Sequence, residues 1–410
     1  MIRIGIVVIN FPITSETFIL TKVIGLIENN FDVCIFSSNK SKNWEKFNLT
    51  KNQIENLKKR IILSPLAYRK NYVVFIFYSI YLFINKFFFH PKKVVNVFFD
   101  ELKFSKLHGT SLMSNFLHKL IFVGEKLDII HIEFDFQAFG LMNLKKICGG
   151  KLVLSGRGSI NRTSIPYRYE YFYREIYEKV DYYHFISLYL YKEAVNKGLS
   201  VEKPWKLIMP AIDLSLFSPK KIKNQDSKII ITTVARLSWA KGYEFMIDAI
   251  AKVYQKYQNI KYLIVGDGEY IEAIKYAAYQ NDLIKNNVVE FVGSVSRSEV
   301  NVYLNMTDIF LLASLDEGFC NAVIEAQAME IPVICSDAGG LPENIEHNVT
   351  GFIVPRRDSD AIADKIIFLI ENPDLRLKMG KAGRIRALTY FDLKQQNKLF
   401  FDLYNEVLSI

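Results

Sequence analysis

Three observations predict an α/β fold built from two parallel, helix-covered sheets. Short apolar runs alternate with helix-forming segments, this scheme occurs twice, and 410 residues exceed what one hydrophobic core usually supports. In the first half, strands are expected over 3–10, 31–37, 129–134 and 152–155, with a helix over 16–28 between the first two. In the second half, a strand over 229–234 is followed by a helix over 242–257, a strand over 262–265, a helix over 270–280 and a strand over 288–292. Further strands over 309–313, 333–336 and 351–354 complete the set. The lysine-rich stretch 210–228, which carries Pro219, interrupts the apolar pattern and marks a boundary. Domains are therefore expected over 1–215 and 216–390, followed by a closing helical segment over 391–410. No solenoid-type repeat is visible.

Composition narrows the function classes. Half the residues are hydrophobic, which excludes extended disorder. Cys34, Cys148, Cys320 and Cys335 are scattered, without C-x-x-C spacing or a histidine partner set, as expected of a reduced, cytoplasmic chain. Residues 1–10 read as a buried first strand rather than a signal peptide, because the apolar part is short and lacks a small-residue cleavage site. The net charge of +9 is uneven: residues 1–215 hold 30 Lys and Arg against 18 Asp and Glu, and the remainder holds 22 against 25. Tyr72 to Ile84 is a 13-residue apolar run, too short for a bilayer span of about 20 residues. Arg69, Lys70, Lys86, Lys92 and Lys93 flank it and the Phe87-Phe88-Phe89 that follows. Two readings fit: a helix lying on an anionic membrane surface through region 69–93, or a helix buried in the first domain under solvated lysines. No nucleic-acid-binding signature is present.

Ser314 to Ala326 carries the chemistry. The apolar run 309–313 leads into a loop and then a helix expected over 321–330 with Asn321 as its cap, so Glu317 falls in the loop and Glu325 in the helix. The helix start offers unpaired N–H groups and a positive partial charge. The backbone of Gly318, Phe319, Cys320 and Asn321 is thereby suited to phosphate or sugar oxygens, and Gly318 permits close approach. Two carboxylates at this spacing can accept from the vicinal hydroxyls of one ligand, which points to a nucleotide sugar.

The Glu317/Glu325 spacing resembles the E-x7-E motif of retaining glycosyltransferases of the GT-B fold, and the fuller pattern is similar to glycosyltransferase family 4. Val234 to Gly242 resembles that family's Arg-Leu…Lys-Gly loop, through Arg236-Leu237 and Lys241-Gly242. Val265-Gly266-Asp267-Gly268, Phe291 to Val295, Ile331-Pro332-Val333-Ile334, Gly339-Gly340-Leu341-Pro342-Glu343 and Thr350-Gly351-Phe352 follow in the family's order. The resemblance implies two Rossmann-like domains facing across a cleft: an acceptor-binding first domain, a donor-binding second domain and a terminal helix crossing back. It also implies a UDP- or GDP-linked sugar donor, transfer with retention and no metal. In this reading Arg236 and Lys241 hold the diphosphate, Glu317 faces the sugar and Glu325 holds the ribose, while Gly266 and Val295 line the donor site. The lone Asp358-x-Asp360 is read as a helix cap rather than a metal motif. Phe11 to Ile19 is similar to the S-E-T-F-I segment of colanic-acid and exopolysaccharide transferases, which places Ser15 and Glu16 beside the acceptor; Ser15 also suits a helix cap. The implied acceptor is a glycan or lipid-linked saccharide, and the location is the cytoplasm or the inner face of the membrane.

Other residues keep the first domain open to several readings. His131, Glu133 and Asp135 alternate at a strand end, so they share a face that suits acceptor or interdomain contacts better than a metal. Many relatives carry His-Gly-x-Asp where this chain has Gly156-Arg157-Gly158-Ser159. Arg157 stays protonated and cannot act as a base, which leaves it to contact a phosphate or acidic sugar or to form a structural salt bridge. A two-carboxylate hydrolase is the rival chemistry, although it would not need the diphosphate cations. A transferase or phosphorylase of small sugars, and a silent nucleotide-sugar-binding assembly subunit, are the alternative functions.

Overall fold

The computed structural model describes residues 1–13, 16–41, 44–47, 49–158, 170–220 and 228–410, which form two compact units. Unit 1 comprises Met1–Phe185, Tyr191–Ile208 and Asn397–Ile410; unit 2 comprises Ile186–Leu190 and Met209–Gln396. The main chain thus passes into unit 2 at Met209, just ahead of the 210–228 stretch, and the helix Leu393–Ser409 begins in unit 2 and ends in unit 1.

Unit 1 holds β1 (Arg3–Phe11), β2 (Asp32–Lys40), β3 (Ile61–Leu63), β4 (Ile129–Ile132), β5 (Lys151–Gly156), β6 (Tyr182–Phe185) and β7 (Trp205–Leu207). They form one parallel sheet in the order β3-β2-β1-β4-β5-β6-β7. β3, β6 and β7 are absent from the expected set; β3 and β7 have three residues each, too few to show a period. Helix Thr17–Glu28 buries Ile19, Leu20, Val23 and Leu26, spacing that lays one face on the sheet. Phe400, Leu403, Tyr404 and Val407 of the terminal helix fill the same core.

Unit 2 holds β8 (Ile229–Val234), β9 (Ile260–Val265), β10 (Val289–Gly293), β11 (Ile309–Leu312), β12 (Val333–Ser336) and β13 (Gly351–Val354). Their order is β10-β9-β8-β11-β12-β13, again all parallel. Helix Tyr243–Lys256 inserts Tyr243, Met246, Ile247, Ile250 and Val253 into the core. Strand order reverses beside β1 and β4 in unit 1 and beside β8 and β11 in unit 2. Parallel sheets open a crevice at such points, outside the carboxyl ends of the strands.

Helix Tyr72–Phe89 tests one of the two readings of the apolar run. It packs one narrow face against the segments Pro65–Tyr68, Pro91–His108 and Leu112–Leu120, and Leu82 is its one buried residue. Phe77 is 70% exposed, Tyr81 63%, Ile84 60% and Phe88 77%. Phe98, Phe99 and Leu102 of helix Pro91–His108 extend the exposed apolar surface. The buried-helix reading therefore fails. By length and composition this helix also reaches the size of a membrane span, with 18 residues or about 27 Å.

Candidate functional site

In unit 2 the two strands at the reversal point deliver the two motif loops. The loop after β8 ends in a single turn, Trp239–Lys241, closed by Gly242 with φ 63°. A Cβ at Gly242 would lie 2.1 Å from the Ala313 carbonyl oxygen, so this glycine lets the loop lie against the end of β11. The Leu315 amide donates to the Ala240 carbonyl at 2.7 Å and fastens the two loops together. Lys241 Nζ then forms an ion pair with Glu317 Oε2, and Ser314 Oγ donates to the same carboxylate oxygen at 3.3 Å. Burial works against the Lys241 ammonium. The facing Glu317 and the Cys320 sulfur outweigh it, so its pKa lies above the ordinary lysine value.

The Gly339-Gly340 pair supports this loop from the far side. Gly340 N–H donates to the Glu317 carbonyl at 2.8 Å, and a Cβ at Gly340 would meet the Gly318 carbonyl oxygen at 2.1 Å. The nearby Glu343 accepts the amides of Leu188 at 2.8 Å and Tyr189 at 2.7 Å, which binds the segment Ile186–Leu190 into this unit.

The helix after the loop runs Asn321–Ala328, with Cys320 rather than Asn321 at the cap position and no side-chain capping bond. Asn344 performs a different service: its Oδ1 accepts the Cys320 amide at 3.2 Å and its Nδ2 donates to the Cys320 carbonyl at 2.9 Å. The expected binding amide of Cys320 is therefore already engaged. The Phe319 side chain is also turned inward, its ring 5.9 Å from that of Phe391.

Glu325 is buried, and Arg297 Nη2 donates to its Oε1 at 3.1 Å. Burial raises the Glu325 pKa and Arg297 opposes the rise. The sequence reading missed Arg297. The signal was there: Ser296 and Glu299 form a capping box, which makes Arg297 the first helical residue, where a cation runs against the helix dipole and needs another partner.

The structure thus brings Lys241 and Glu317 together and gives Glu325 a separate cation. Arg236 is exposed beside them, close enough to Lys241 to oppose its charge. Gly266, with φ 143°, lies against the Ala235 carbonyl, 2.0 Å from where its Cβ would stand, and Val295 is half-buried just before the Ser296 cap. Among the described residues no group of three or more His, Cys, Asp or Glu is assembled to hold a metal. Asp358 caps helix Ser359–Glu371, accepting from Ala361 N–H at 2.8 Å, and Asp360 pairs with Lys252 at 2.7 Å.

Unit 1 treats its expected site residues differently. Ser15 lies outside the described residues, and Glu16 occupies the position before helix Thr17–Glu28 without a side-chain capping bond. Burial lifts the Glu16 pKa to about 7, with Arg157 opposing and Glu133 adding to the rise. His131 is fully buried instead of lining a binding face. Its Nε2 is 2.8 Å from Ser155 Oγ and its Nδ1 2.7 Å from Tyr404 Oη. Glu133, equally buried, pairs with Lys22 and with Arg157 Nη2 at 3.0 Å. Arg157 also donates Nε to the Glu133 carbonyl at 3.0 Å and lies 4.1 Å over the Phe18 ring. Of the readings open to Arg157, the salt bridge is the one formed. Burial lowers the His131 pKa well below the ordinary value, and Lys22 and Arg157 add to the effect.

Comparison with known proteins shows what this scaffold is similar to. Residues 216–386, the segment that carries the motif loops of unit 2, match the family model described as "Glycosyl transferases group 1". Over that segment the chain is similar to the glycosyl transferases group 1. It is 26% identical over 402 residues to the amylovoran biosynthesis glycosyltransferase AmsK of Erwinia amylovora, covering 93% of this chain and 94% of that one. It is 28% identical over 229 residues to a GDP-mannose-dependent alpha-(1-6)-phosphatidylinositol monomannoside mannosyltransferase of Mycobacterium tuberculosis. That match covers 52% of this chain and 58% of the mycobacterial protein's length. The fold of the chain is GT-B, shared with HepE of Anabaena, solved in complex with UDP. The TM-score is 0.73, with 16% identity and coverage of 99% of this chain and 100% of that one.

Proposed function

We propose that the chain is a retaining, metal-independent glycosyltransferase that moves a sugar from a nucleotide-diphosphate sugar to a glycan or lipid-linked acceptor in surface polysaccharide or glycolipid synthesis. The observation that carries this reading is the Lys241–Glu317 pair, held at the strand-order reversal of unit 2 and flanked by exposed Arg236. Breaking the bond from sugar to phosphate leaves negative charge on the departing diphosphate. Lys241, kept cationic by its carboxylate neighbour, and Arg236 stabilise that charge without needing a metal or an acid. The uncapped start of helix Asn321–Ala328 adds a positive partial charge at the same loop. Glu317 orients the donor sugar or stabilises positive character at its anomeric carbon. Glu325, kept in place by Arg297, accepts from the ribose hydroxyls. One relative is GDP-mannose-dependent by name and one structural neighbour was solved with UDP, so both nucleotides are candidate donors.

The exposed apolar surface of helices Tyr72–Phe89 and Pro91–His108 supports a second part of the proposal, docking on an anionic membrane where lipid-linked acceptors reside. Of the cations expected to assist, Lys86 lies 3.7 Å from Glu125, Lys93 donates to the Ile147 carbonyl at 2.8 Å and Arg69 donates to Ser114 Oγ at 2.6 Å. Lys70 and Lys92 remain exposed for lipid phosphates.

The test is a panel of UDP-, GDP- and ADP-sugars, read by thermal shift and by nucleotide release with membrane extract as acceptor source. One donor is expected to stabilise the protein and release its nucleotide, and Lys241→Ala is expected to slow release at least 100-fold, the scale of losing one charge-stabilising donor. Stabilisation without release would instead support the silent assembly subunit, and full activity in Lys241→Ala would overturn the site.

A further inference from the structure

A pocket of about 260 Å³ opens in unit 1, lined in part by residues at the C-terminal end of helix Pro91–His108. No part of it belongs to the donor site, and its lining is mixed in a specific way. Glu101 is fully buried; one of its carboxylate oxygens pairs with Lys119, and the other, Oε2, has no hydrogen-bond partner. Asn143 Oδ1 is a second buried acceptor without a partner. Two unsatisfied acceptors in one pocket call for a ligand that brings hydroxyl donors, because each buried acceptor left alone keeps its full desolvation penalty.

The walls and rim specify the ligand further. Phe104 and Phe139 both line the pocket, their ring centroids 5.1 Å apart, and offer a non-polar face of the kind that the C–H surface of a sugar ring covers. Lys103 and Lys146 stand exposed at the lining without an ion-pair partner among the described residues. Glu175 is occupied by Lys179 at 2.5 Å, and Asp100 acts on Lys119. The four lysines of the lining outnumber its three carboxylates, Asp100, Glu101 and Glu175, so its net charge is positive. The volume exceeds the roughly 150 Å³ that holds benzene, and it matches a single ring with a substituent rather than an oligosaccharide.

We propose that this pocket binds one anionic sugar unit, a pyranose carrying a carboxylate or a phosphate, as a second glycan-holding site distinct from the donor site. The hydroxyls satisfy Glu101 Oε2 and Asn143 Oδ1, the ring lies against Phe104 and Phe139, and the anionic group sits between Lys103 and Lys146. Leu107, 76% exposed on the same helix as the apolar outer residues Phe98 and Phe99, also borders the pocket. The site lies wholly in unit 1 and is read by binding, so its success or failure is independent of sugar transfer.

The experiment is ligand-observed NMR or calorimetry on the full chain with glucuronate, glucose 6-phosphate, glucose and inorganic phosphate at fixed ionic strength. At least one anionic sugar is expected to bind at least tenfold more tightly than both glucose and inorganic phosphate. The double variant Lys103→Ala/Lys146→Ala, at exposed positions, is expected to lose at least tenfold in that affinity with an unchanged melting temperature. Lys241→Ala is expected to leave it unchanged, which separates the pocket from the donor site. Tighter glucuronate identifies a uronic-acid unit and tighter glucose 6-phosphate a phosphosugar; either supports the site. Phosphate binding as tightly as glucose 6-phosphate where glucuronate shows no preference, which would mean an adventitious ion only, overturns it. So does glucose binding as tightly as both anionic sugars, affinity unchanged in the double variant, affinity lost in Lys241→Ala, or no binding at all.

Discussion

Arg157 shows what one residue can and cannot reveal. The sequence places an arginine where many members of the resembled family carry histidine, and the structure uses it to hold Glu133 between two cations, Arg157 and Lys22. Despite burial, Glu133 keeps a pKa below the ordinary carboxylate value because those two cations outweigh desolvation. Removing one of them leaves buried charge incompletely matched. Arg157→Met is therefore expected to destabilise the protein by about 3 kcal/mol in chemical denaturation, and a loss under 1 kcal/mol would show the pair to be dispensable. Glu16 behaves in the opposite sense. Burial raises its folded-state pKa to about 7, so the folded protein holds this proton more tightly than the unfolded chain. That contribution is fully present below the unfolded carboxylate pKa and is lost as pH rises through 7. Glu16→Gln removes the loss. After discounting for partial exposure, the variant is expected to match the wild type below about pH 4 and exceed it by about 1–2 kcal/mol at pH 8, a rise of a few degrees in melting temperature. Equal melting temperatures at pH 8 would refute the raised pKa.

At the level of elements, helix Tyr72–Phe89 is the departure from ordinary soluble packing. Its inner residues follow helical spacing, as a surface helix should, yet the outer positions are Phe, Tyr and Ile rather than charged residues. Phe77 and Phe88 are 70% and 77% exposed, so polar replacements there remove little from the core. Phe77→Ser/Phe88→Ser is expected to lower binding to vesicles containing anionic lipid at least tenfold while the melting temperature stays within about 2 °C. Undiminished vesicle binding would transfer the apolar surface to another partner. The same element shows why composition alone was ambiguous: an apolar run has the same sequence signature whether protein or lipid covers it.

At the scale of the whole molecule, each unit repeats one device: a parallel sheet whose strand order reverses beside its first strand. In unit 2 that reversal sets the loops after β8 and β11 side by side and makes a pair of two residues 76 positions apart, Lys241 and Glu317. In unit 1 it sets β1 and β4 beside one another, and the terminal helix returns Tyr404 to His131 across 273 positions. The charge asymmetry, basic before residue 215 and slightly acidic after it, runs along the same division and places the exposed apolar helices in the basic half.

The sequence by itself determined the alternation of strands and helices, the loops carrying Arg236, Lys241 and Glu317, the helix carrying Glu325, and the glycines that let those loops approach. These follow from local periodicity and from backbone conformations set by near neighbours in the chain. Short strands such as β3 and β7 escaped because three residues show no period. Only the tertiary structure decided that His131 and Arg157 are buried in a charge network, that Arg297 serves Glu325, that Asn344 takes the Cys320 amide and that helix Tyr72–Phe89 is exposed. Burial and pairing depend on partners distant in sequence, and the strand order of each sheet is what brings those partners within reach.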